Sequence, residues 1–157
     1  MTVGVVHGPN LDLLGTRQPE LYGTATLADI EGTLAEVARE LGVEVASVQS
    51  NHEGVLVDWV RDHAAGVGGF VVNAAAYTHT SLALLDVLLG VERPFVEVHL
   101  TNLAARPRRR RRSLLARHAA GVIMGFGARG YELGLRALVA HLRDANRDRP
   151  TGPERGE

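Results

Sequence analysis

Two residues on one short apolar segment, Glu97 and His99, have the types and the spacing that acid–base chemistry needs. The segment is predicted to be a β-strand, and alternate residues of a strand point to the same face of the sheet. The carboxylate can then orient the imidazole ring and favour its charged form, which makes the histidine a candidate general acid. One such pair is weak evidence by itself, because a structural hydrogen bond has the same spacing.

Polar residues follow all five of the predicted strands. For any one of them a satisfied structural hydrogen bond is the commoner explanation, because an unpaired polar group is costly to bury. In an open parallel sheet, however, ligands bind beyond the carboxyl ends of the strands, and these ends meet at one edge. We therefore expect a pocket at this edge. The residues concerned are His7, Pro9 and Asn10 after the first strand, Ser50–Glu53 after the second, Asn73 and Tyr77–Ser81 after the third, Thr101 and Asn102 after the fourth, and Gly125–Gly127 after the fifth.

The connection between the first strand and the first long helix, residues 7–24, is unusually long. Most such connections have roughly 2–6 residues, and a longer one often has a function such as a lid. This one contains Tyr22, and Arg17 precedes that tyrosine by five residues. On spacing alone, packing is the commoner role for a loop tyrosine. Three glycines are candidate hinges for a moving loop: Gly8, Gly15 and Gly23.

A run of arginines, Arg106–Arg112 interrupted by Pro107, follows the fourth strand. A solvated loop is the usual explanation of such a run, and contact with nucleic acid is the second. Its position at the carboxyl edge favours a third, in which some of the guanidinium groups bind a small anionic, hydroxylated substrate. The net charge of −1, from 17 basic and 18 acidic residues, argues against a general nucleic-acid binder.

Two residue types are absent, and their absence excludes whole classes of chemistry. There is no cysteine, which excludes disulfides, thiolate nucleophiles, iron–sulfur clusters and zinc–thiolate sites. All 17 basic residues are arginine, which excludes a lysine Schiff base and a P-loop lysine. His52, His79 and His99 lack a compact metal-ligand spacing, so we expect neither a metal ion nor a cofactor.

Short apolar segments alternate with longer helical patterns along a chain whose length suits one compact domain. The predicted strands are Thr2–Val6, Val43–Gln49, Gly69–Asn73, Pro94–His99 and Ala120–Met124, and the predicted helices are Thr26–Leu41, Gly54–Ala65, Thr80–Leu89 and Gly130–Ala145. This alternation predicts an α/β fold, a flavodoxin-like three-layer arrangement with a five-stranded parallel sheet. We expect a single catalytic domain at residues 1–145 and a disordered tail at residues 146–157. No apolar run reaches the roughly 18 residues that cross a bilayer, and no signal-peptide pattern is present, so we expect a cytoplasmic protein with no membrane partner.

Six motifs in order carry a resemblance to a known family. They are Gly-Pro-Asn-Leu-x-Leu-Leu-Gly-Thr-Arg ending at Arg17, Pro-Glu-Leu-Tyr-Gly ending at Gly23, Gln-Ser-Asn-His-Glu-Gly ending at Gly54, Tyr-Thr-His-Thr-Ser ending at Ser81, Val-Glu-Val-His-Leu-Thr-Asn ending at Asn102, and Gly-Phe-Gly-x-x-Gly-Tyr ending at Tyr131. Up to about residue 143, the chain resembles the type II 3-dehydroquinate dehydratases. The resemblance implies dehydration of 3-dehydroquinate to 3-dehydroshikimate by anti elimination through an enolate. It also implies a flavodoxin-like subunit and a homododecamer built from trimers, in the shikimate pathway of aromatic amino acid biosynthesis; breakdown of quinate stays open as a second role.

The resemblance also implies roles for individual residues. Tyr22 would remove a proton alpha to the ketone, Arg17 would stabilise its phenolate and the enolate, and Asn10 would hold a bridging water. His99 would protonate the departing hydroxyl, with Glu97 supporting its charged form. The implied substrate-binding residues are Asn73 and the backbone amides of Leu100 and Thr101 for the carboxylate, His79 and Arg110 for the ring hydroxyls, Asp86 for a neighbouring subunit's pocket, and Arg106 in the loop.

Several positions depart from the family pattern: His7 and Asp12 each replace an asparagine, Ala75 replaces a glycine and Leu85 an arginine. Around the arginine run, the departures are Pro107, Arg112 and Leu114. They leave open a catalytically weak or inactive relative that binds a ring acid as a regulator or scaffold, although Tyr22, His99 and Arg17 are intact. A flavodoxin-like module for a nucleotide or flavin is a further interpretation, and so is an RNA-binding domain that uses the arginine run.

Overall fold

Five β-strands form the centre of the fold in the computed structural model, which describes residues 1–16 and 18–148. Their bounds are β1 Thr2–His7, β2 Glu44–Gln49, β3 Val67–Asn73, β4 Phe95–His99 and β5 Gly121–Met124. The spatial order is β2-β1-β3-β4-β5, and every neighbouring pair is parallel. This is the order of a flavodoxin-like sheet. The predicted fold class is therefore confirmed, with each strand end within two residues of its prediction.

Helices cover both faces of this sheet. Their bounds are α1 Pro19–Tyr22, α2 Leu27–Leu41, α3 Glu53–His63, α4 Leu82–Gly90 and α5 Arg129–Arg147. Helices α2 and α5 pack together on one face, and α3 packs with α4 on the other. The four longer helices correspond to the predicted ones, whereas the sequence pattern does not indicate the single-turn α1. None of the helices in the described residues has both the length and the apolar character of a bilayer-spanning segment.

The alternation of side chains along β3 shows why the strands are continuously apolar. Val71 packs in the core layer that contains Leu135 of α5. Phe70 and Val72, on either side of it, point the opposite way into the layer that contains Leu84 of α4. Because both faces of the sheet are covered, a strand of this kind has no position that favours a polar residue until it reaches its end.

The ends of the long helices bear on two of the sequence predictions. At the start of α2, Thr26 and Asp29 form a reciprocal capping box: the Asp29 amide donates to Thr26 Oγ1 at 3.1 Å, and the Thr26 amide donates to Asp29 Oδ2 at 2.9 Å. Helix α5 continues to Arg147, two residues past its predicted end at Ala145. The first two residues of the predicted tail are thus helical, and residues 149–157 lie outside the described part of the chain.

Gly8 makes a close approach between two segments at the carboxyl edge. Its amide donates to the Asn73 carbonyl oxygen at 2.8 Å. A Cβ atom at this position would lie 2.2 Å from the carbonyl oxygen of Ala74. Glycine is therefore required by packing here, and that contact holds the start of the long loop against the end of β3.

Candidate active site

A cavity of about 130 Å³ opens at the carboxyl edge of the sheet, where the strand ends predict a pocket. Its wall is formed by the long loop after β1, the segments that follow β3 and β4, and the arginine run. Eight of the predicted site residues line this cavity: Asn10, Tyr22, Asn73, His79, His99, Leu100, Arg106 and Arg110.

Three predicted site residues do not line the cavity, and a fourth is not described by the structure. Glu97 is fully buried and contacts the ring of His99. Thr101 follows β4, and its hydroxyl contacts Arg106. Asp86 is exposed on α4 and does not line the cavity. Arg17 lies outside the described residues.

The pair of Glu97 and His99 has the geometry that the spacing predicts. His99 Nε2 lies 2.7 Å from Glu97 Oε1, and both side chains are almost completely buried. The nitrogen that faces the carboxylate is Nε2, so Nδ1 is the nitrogen left for another partner.

Ser113 is a third member of this cluster, and the sequence does not point to it. Its Oγ donates to Glu97 Oε1 at 2.6 Å. The contact joins a strand to a loop across 16 residues, so no local spacing could indicate it. The only sequence signal is that Ser113 directly follows the arginine run.

Asn10 has a left-handed backbone, with φ +65°, a conformation that asparagine tolerates better than most residues. Its amide donates to Asn51 Oδ1 at 2.9 Å, and the backbone oxygen of Asn51 accepts a hydrogen bond of 2.6 Å from the Tyr77 hydroxyl. The polar residues after β2 therefore support the cavity wall without lining it.

The arginine run is attached to the rest of the site at several points. Nε and Nη2 of Arg106 both donate to Thr101 Oγ1, at 2.8 and 2.6 Å. Burial lowers the pKa of Arg106 and the neighbouring Arg110 adds to this, while attraction to Tyr22 opposes it. His79 Nδ1 lies 2.7 Å from the carbonyl oxygen of Arg112 and must donate to it, which leaves Nε2 of His79 for the cavity.

His7 does not line the cavity, although its position after β1 predicts that it should. Its side chain shares the face of Val5 and packs against α5, where Nδ1 lies 3.0 Å from the Tyr131 hydroxyl. Burial lowers the pKa of His7 to about 4 and raises that of Tyr131. His7 is therefore a neutral residue of the interior.

Asn73 and Ala75 form a tight turn in the cavity wall after β3. The Ala75 amide donates to Asn73 Oδ1 at 3.1 Å, and the Asn73 NH₂ group, which is a neighbour of the Tyr131 hydroxyl, has two hydrogens and so keeps at least one to donate. Ala75 itself has φ +49°, a conformation that strains every residue with a side chain. The methyl group at this position thus carries a backbone cost in addition to the space it takes from the cavity.

Within residues 1–16 and 18–148, no three histidine, aspartate or glutamate side chains are grouped closely enough to hold a metal ion. The fold and the cavity together define a class of protein: a flavodoxin-like α/β protein with a cavity lined by polar residues at the carboxyl edge of its sheet.

Comparison with known proteins identifies the family. The family model described as Dehydroquinase class II matches residues 1–139. The chain is 54% identical over 152 residues to a 3-dehydroquinate dehydratase of Gemmatimonas aurantiaca, covering 97% of this chain and all of that relative. It is 49% identical over 150 residues to a 3-dehydroquinate dehydratase of Dinoroseobacter shibae, covering 96% of this chain and all of that relative.

Among solved structures, the type II dehydroquinase from Propionibacterium acnes is similar, with a TM-score of 0.84 and 39% sequence identity. The likeness covers 88% of this chain and 96% of that one. The chain therefore belongs to the class II dehydroquinase family, and its prediction as a hydro-lyase of this family is confirmed.

Proposed function

We propose that this enzyme dehydrates 3-dehydroquinate to 3-dehydroshikimate by anti elimination, with Tyr22 as the base and His99 as the acid. The observation that carries the proposal is that Tyr22 and His99 line one cavity together with Asn10, Asn73 and the loop arginines. Membership of the family supports the substrate. The elimination then needs one group to take a proton and another to give one, and the cavity wall has both.

His99 is the proposed acid because its partner is a buried carboxylate. The contact of 2.7 Å between His99 Nε2 and Glu97 Oε1 favours an imidazolium. The imidazolium carries a second proton at Nδ1, and this is the proton that the departing hydroxyl would receive. The leaving group departs as water, so that no hydroxide ion has to be released into a partly enclosed site.

The proposed base is the phenolate of Tyr22. A free tyrosine has a pKa of about 10, so any phenolate base at neutral pH needs stabilisation of roughly 4 kcal/mol. Arg106 lines the same cavity as Tyr22 and is proposed as one cation that stabilises the phenolate, with Arg17 as a second. Arg17 lies outside the described residues, so its role depends on the resemblance of its motif. Asn10 would hold the water that assists formation of the enolate.

Substrate binding is proposed to combine one site for the carboxylate with another for the ring hydroxyls. The NH₂ group of Asn73 is available as a donor to the carboxylate, since Asn73 Oδ1 is already bonded to the Ala75 amide, and the backbone amides of Leu100 and Thr101 would complete that site. His79 through Nε2 and Arg110 would bind the hydroxyls, and Arg106 would line the loop side.

Asp86 has a role only if the subunits assemble. We propose a homododecamer built from trimers, in which Asp86 reaches the pocket of a neighbouring subunit. We also propose a cytoplasmic location, because the family's reaction belongs to general metabolism. Leu82 and Leu89 support an interface here, because they are 61% and 43% exposed on the same side of α4 as Asp86. Light scattering on the purified protein should give the mass of twelve chains; a stable monomer would contradict this part of the proposal.

Ultraviolet absorbance tests the reaction directly, because the elimination creates a conjugated, absorbing enone. Addition of the wild-type protein to 3-dehydroquinate should raise the absorbance, with and without a chelator. Tyr22→Phe should abolish the rise while an unreactive ring-acid analogue still binds. Tyr77→Phe is the matched control, since it also removes one phenol hydroxyl but one that bonds the Asn51 backbone instead of lining the cavity, and it should retain far more turnover than Tyr22→Phe. A flat trace from folded wild-type protein would overturn the proposal, and turnover by Tyr22→Phe would overturn the choice of base.

A further inference from the structure

We propose that Ser113 is a positioning residue for the acid: its hydroxyl holds Glu97 in the ionised form and thereby keeps His99 an imidazolium. This inference rests on the proposed function, in which His99 is the acid. Ser113 directly follows the arginine run, does not line the cavity, and would act through its hydrogen bond to Glu97.

The direction of the Ser113 hydrogen bond follows from its other contacts. Ser113 Oγ accepts hydrogen bonds of 3.0 Å from the backbone amides of both Leu115 and Ala116. A hydroxyl has two lone pairs and one proton, so these two amides occupy its accepting positions. The proton is left for Glu97 Oε1 at 2.6 Å. Ser113 must therefore donate to the carboxylate.

Glu97 Oε1 consequently accepts from two donors, the Ser113 hydroxyl and His99 Nε2. Glu97 is fully buried, and burial alone favours the neutral form of a carboxyl group. Its other oxygen, Oε2, has no hydrogen-bond partner in the described part of the chain. The charge on Glu97 thus depends on the two donors at Oε1, and Ser113 is one of them.

The consequence for His99 concerns the proton between the two residues. With Glu97 ionised, this proton stays on Nε2, and His99 is an imidazolium that can release its Nδ1 proton readily. If Glu97 held the proton instead, His99 would be a neutral imidazole and a far weaker acid at Nδ1. The hydrogen bond from Ser113 favours the first arrangement, because a donor to a carboxylate stabilises its charged form.

Removal of this hydroxyl should therefore slow the chemical step and leave substrate binding largely unchanged. We expect Ser113→Ala to lower kcat roughly 10- to 100-fold, the usual range for a lost hydrogen bond to a charged group, with KM within about a factor of three. The basic limb of the kcat profile, on which His99 loses its proton, should move to lower pH, since Glu97 without the Ser113 hydrogen bond favours the imidazolium less. Ser113→Thr, which keeps the hydroxyl, should restore most of kcat and the original basic limb.

Ser47→Ala is a matched control. Ser47 Oγ donates to Glu31 Oε1 at 2.8 Å, so this substitution also removes a serine–glutamate hydrogen bond, but one that is remote from the cavity. It should leave kcat and its pH profile as in the wild type. If Ser113→Ala loses its fold, Ser113→Cys takes its place, because a thiol of similar shape donates only weakly and should shift kcat and the basic limb in the same direction.

A spectroscopic measurement separates failure of this inference from failure of the proposed function. Nitrogen-15 NMR of the His99 ring should be recorded without substrate. The wild type should show a proton on Nε2 and an imidazolium. In Ser113→Ala the imidazolium should be lost at a lower pH than in the wild type. A wild-type protein without turnover would overturn the proposed function, while this NMR difference would still support the contact between Ser113 and Glu97. Unchanged NMR spectra and an unchanged basic limb in Ser113→Ala, with active wild type, would overturn the role of Ser113.

Discussion

Acidification should destabilise this protein through His7, a buried residue that does not line the cavity. His7 is completely buried, and its burial lowers its pKa from 6.5 to about 4. The unfolded chain therefore takes up a proton at His7 as the pH falls through 6.5, whereas the folded protein takes it up only near pH 4. The contribution of neutral His7 to the free energy of unfolding is complete above pH 6.5, declines as the pH falls, and is lost by about pH 4. The loss amounts to about 3 kcal/mol.

His7→Asn tests this reasoning because asparagine does not titrate and can still accept a hydrogen bond from the Tyr131 hydroxyl. The free energy of unfolding should be measured in urea at one protein concentration, at several values between pH 7.5 and 4. The difference between the two proteins should move in favour of His7→Asn by about 3 kcal/mol over this range. Other groups titrate in both proteins and cancel from the difference.

An exposed histidine provides the control for this measurement. His141 lies on the exposed side of α5, so its surroundings change little when the protein unfolds. His141→Asn should shift the free energy of unfolding by a constant amount at all of these pH values. A difference between wild type and His7→Asn that does not vary with pH would refute the argument from burial.

Three other substitutions have expected outcomes. Ala75→Gly removes the strain of φ +49° and should raise the free energy of unfolding by up to about 1 kcal/mol. This figure already deducts the greater freedom of glycine in the unfolded chain. An unchanged or lower free energy of unfolding in urea would contradict this prediction. Gly8→Ala brings a Cβ within 2.2 Å of the Ala74 carbonyl oxygen and should cost about 2–3 kcal/mol in the same measurement, whereas a neutral result would mean that the loop yields easily. Glu97→Gln removes the charge that faces His99 and should lower kcat roughly 100-fold with a normal circular dichroism spectrum; wild-type turnover would contradict the role of the carboxylate.

Much of the fold can be predicted from sequence because its strands are covered on both faces. Such strands need continuous apolar segments, and the segments between them need a helical pattern, so local composition is sufficient to locate them. The same holds for the start of α2, where the capping box involves only Thr26 and Asp29, three residues apart. The single turn α1 is too short to have a periodic pattern, and its four residues depend on the loop around them.

The site divides in the same way. Residue order alone determined that the side chains of Glu97 and His99 would be in contact, because alternate side chains of a strand point to the same face. It also determined that the polar residues at the strand ends would lie at one edge of the sheet. Only the tertiary structure decided that His7 turns into the interior toward Tyr131, that Asn51 supports the backbone of Asn10, and that Ser113 reaches Glu97. Each of these contacts depends on the path of a loop or on the packing of a helix against the sheet. Such paths depend on the whole chain, so they cannot be predicted from the spacing of nearby residues.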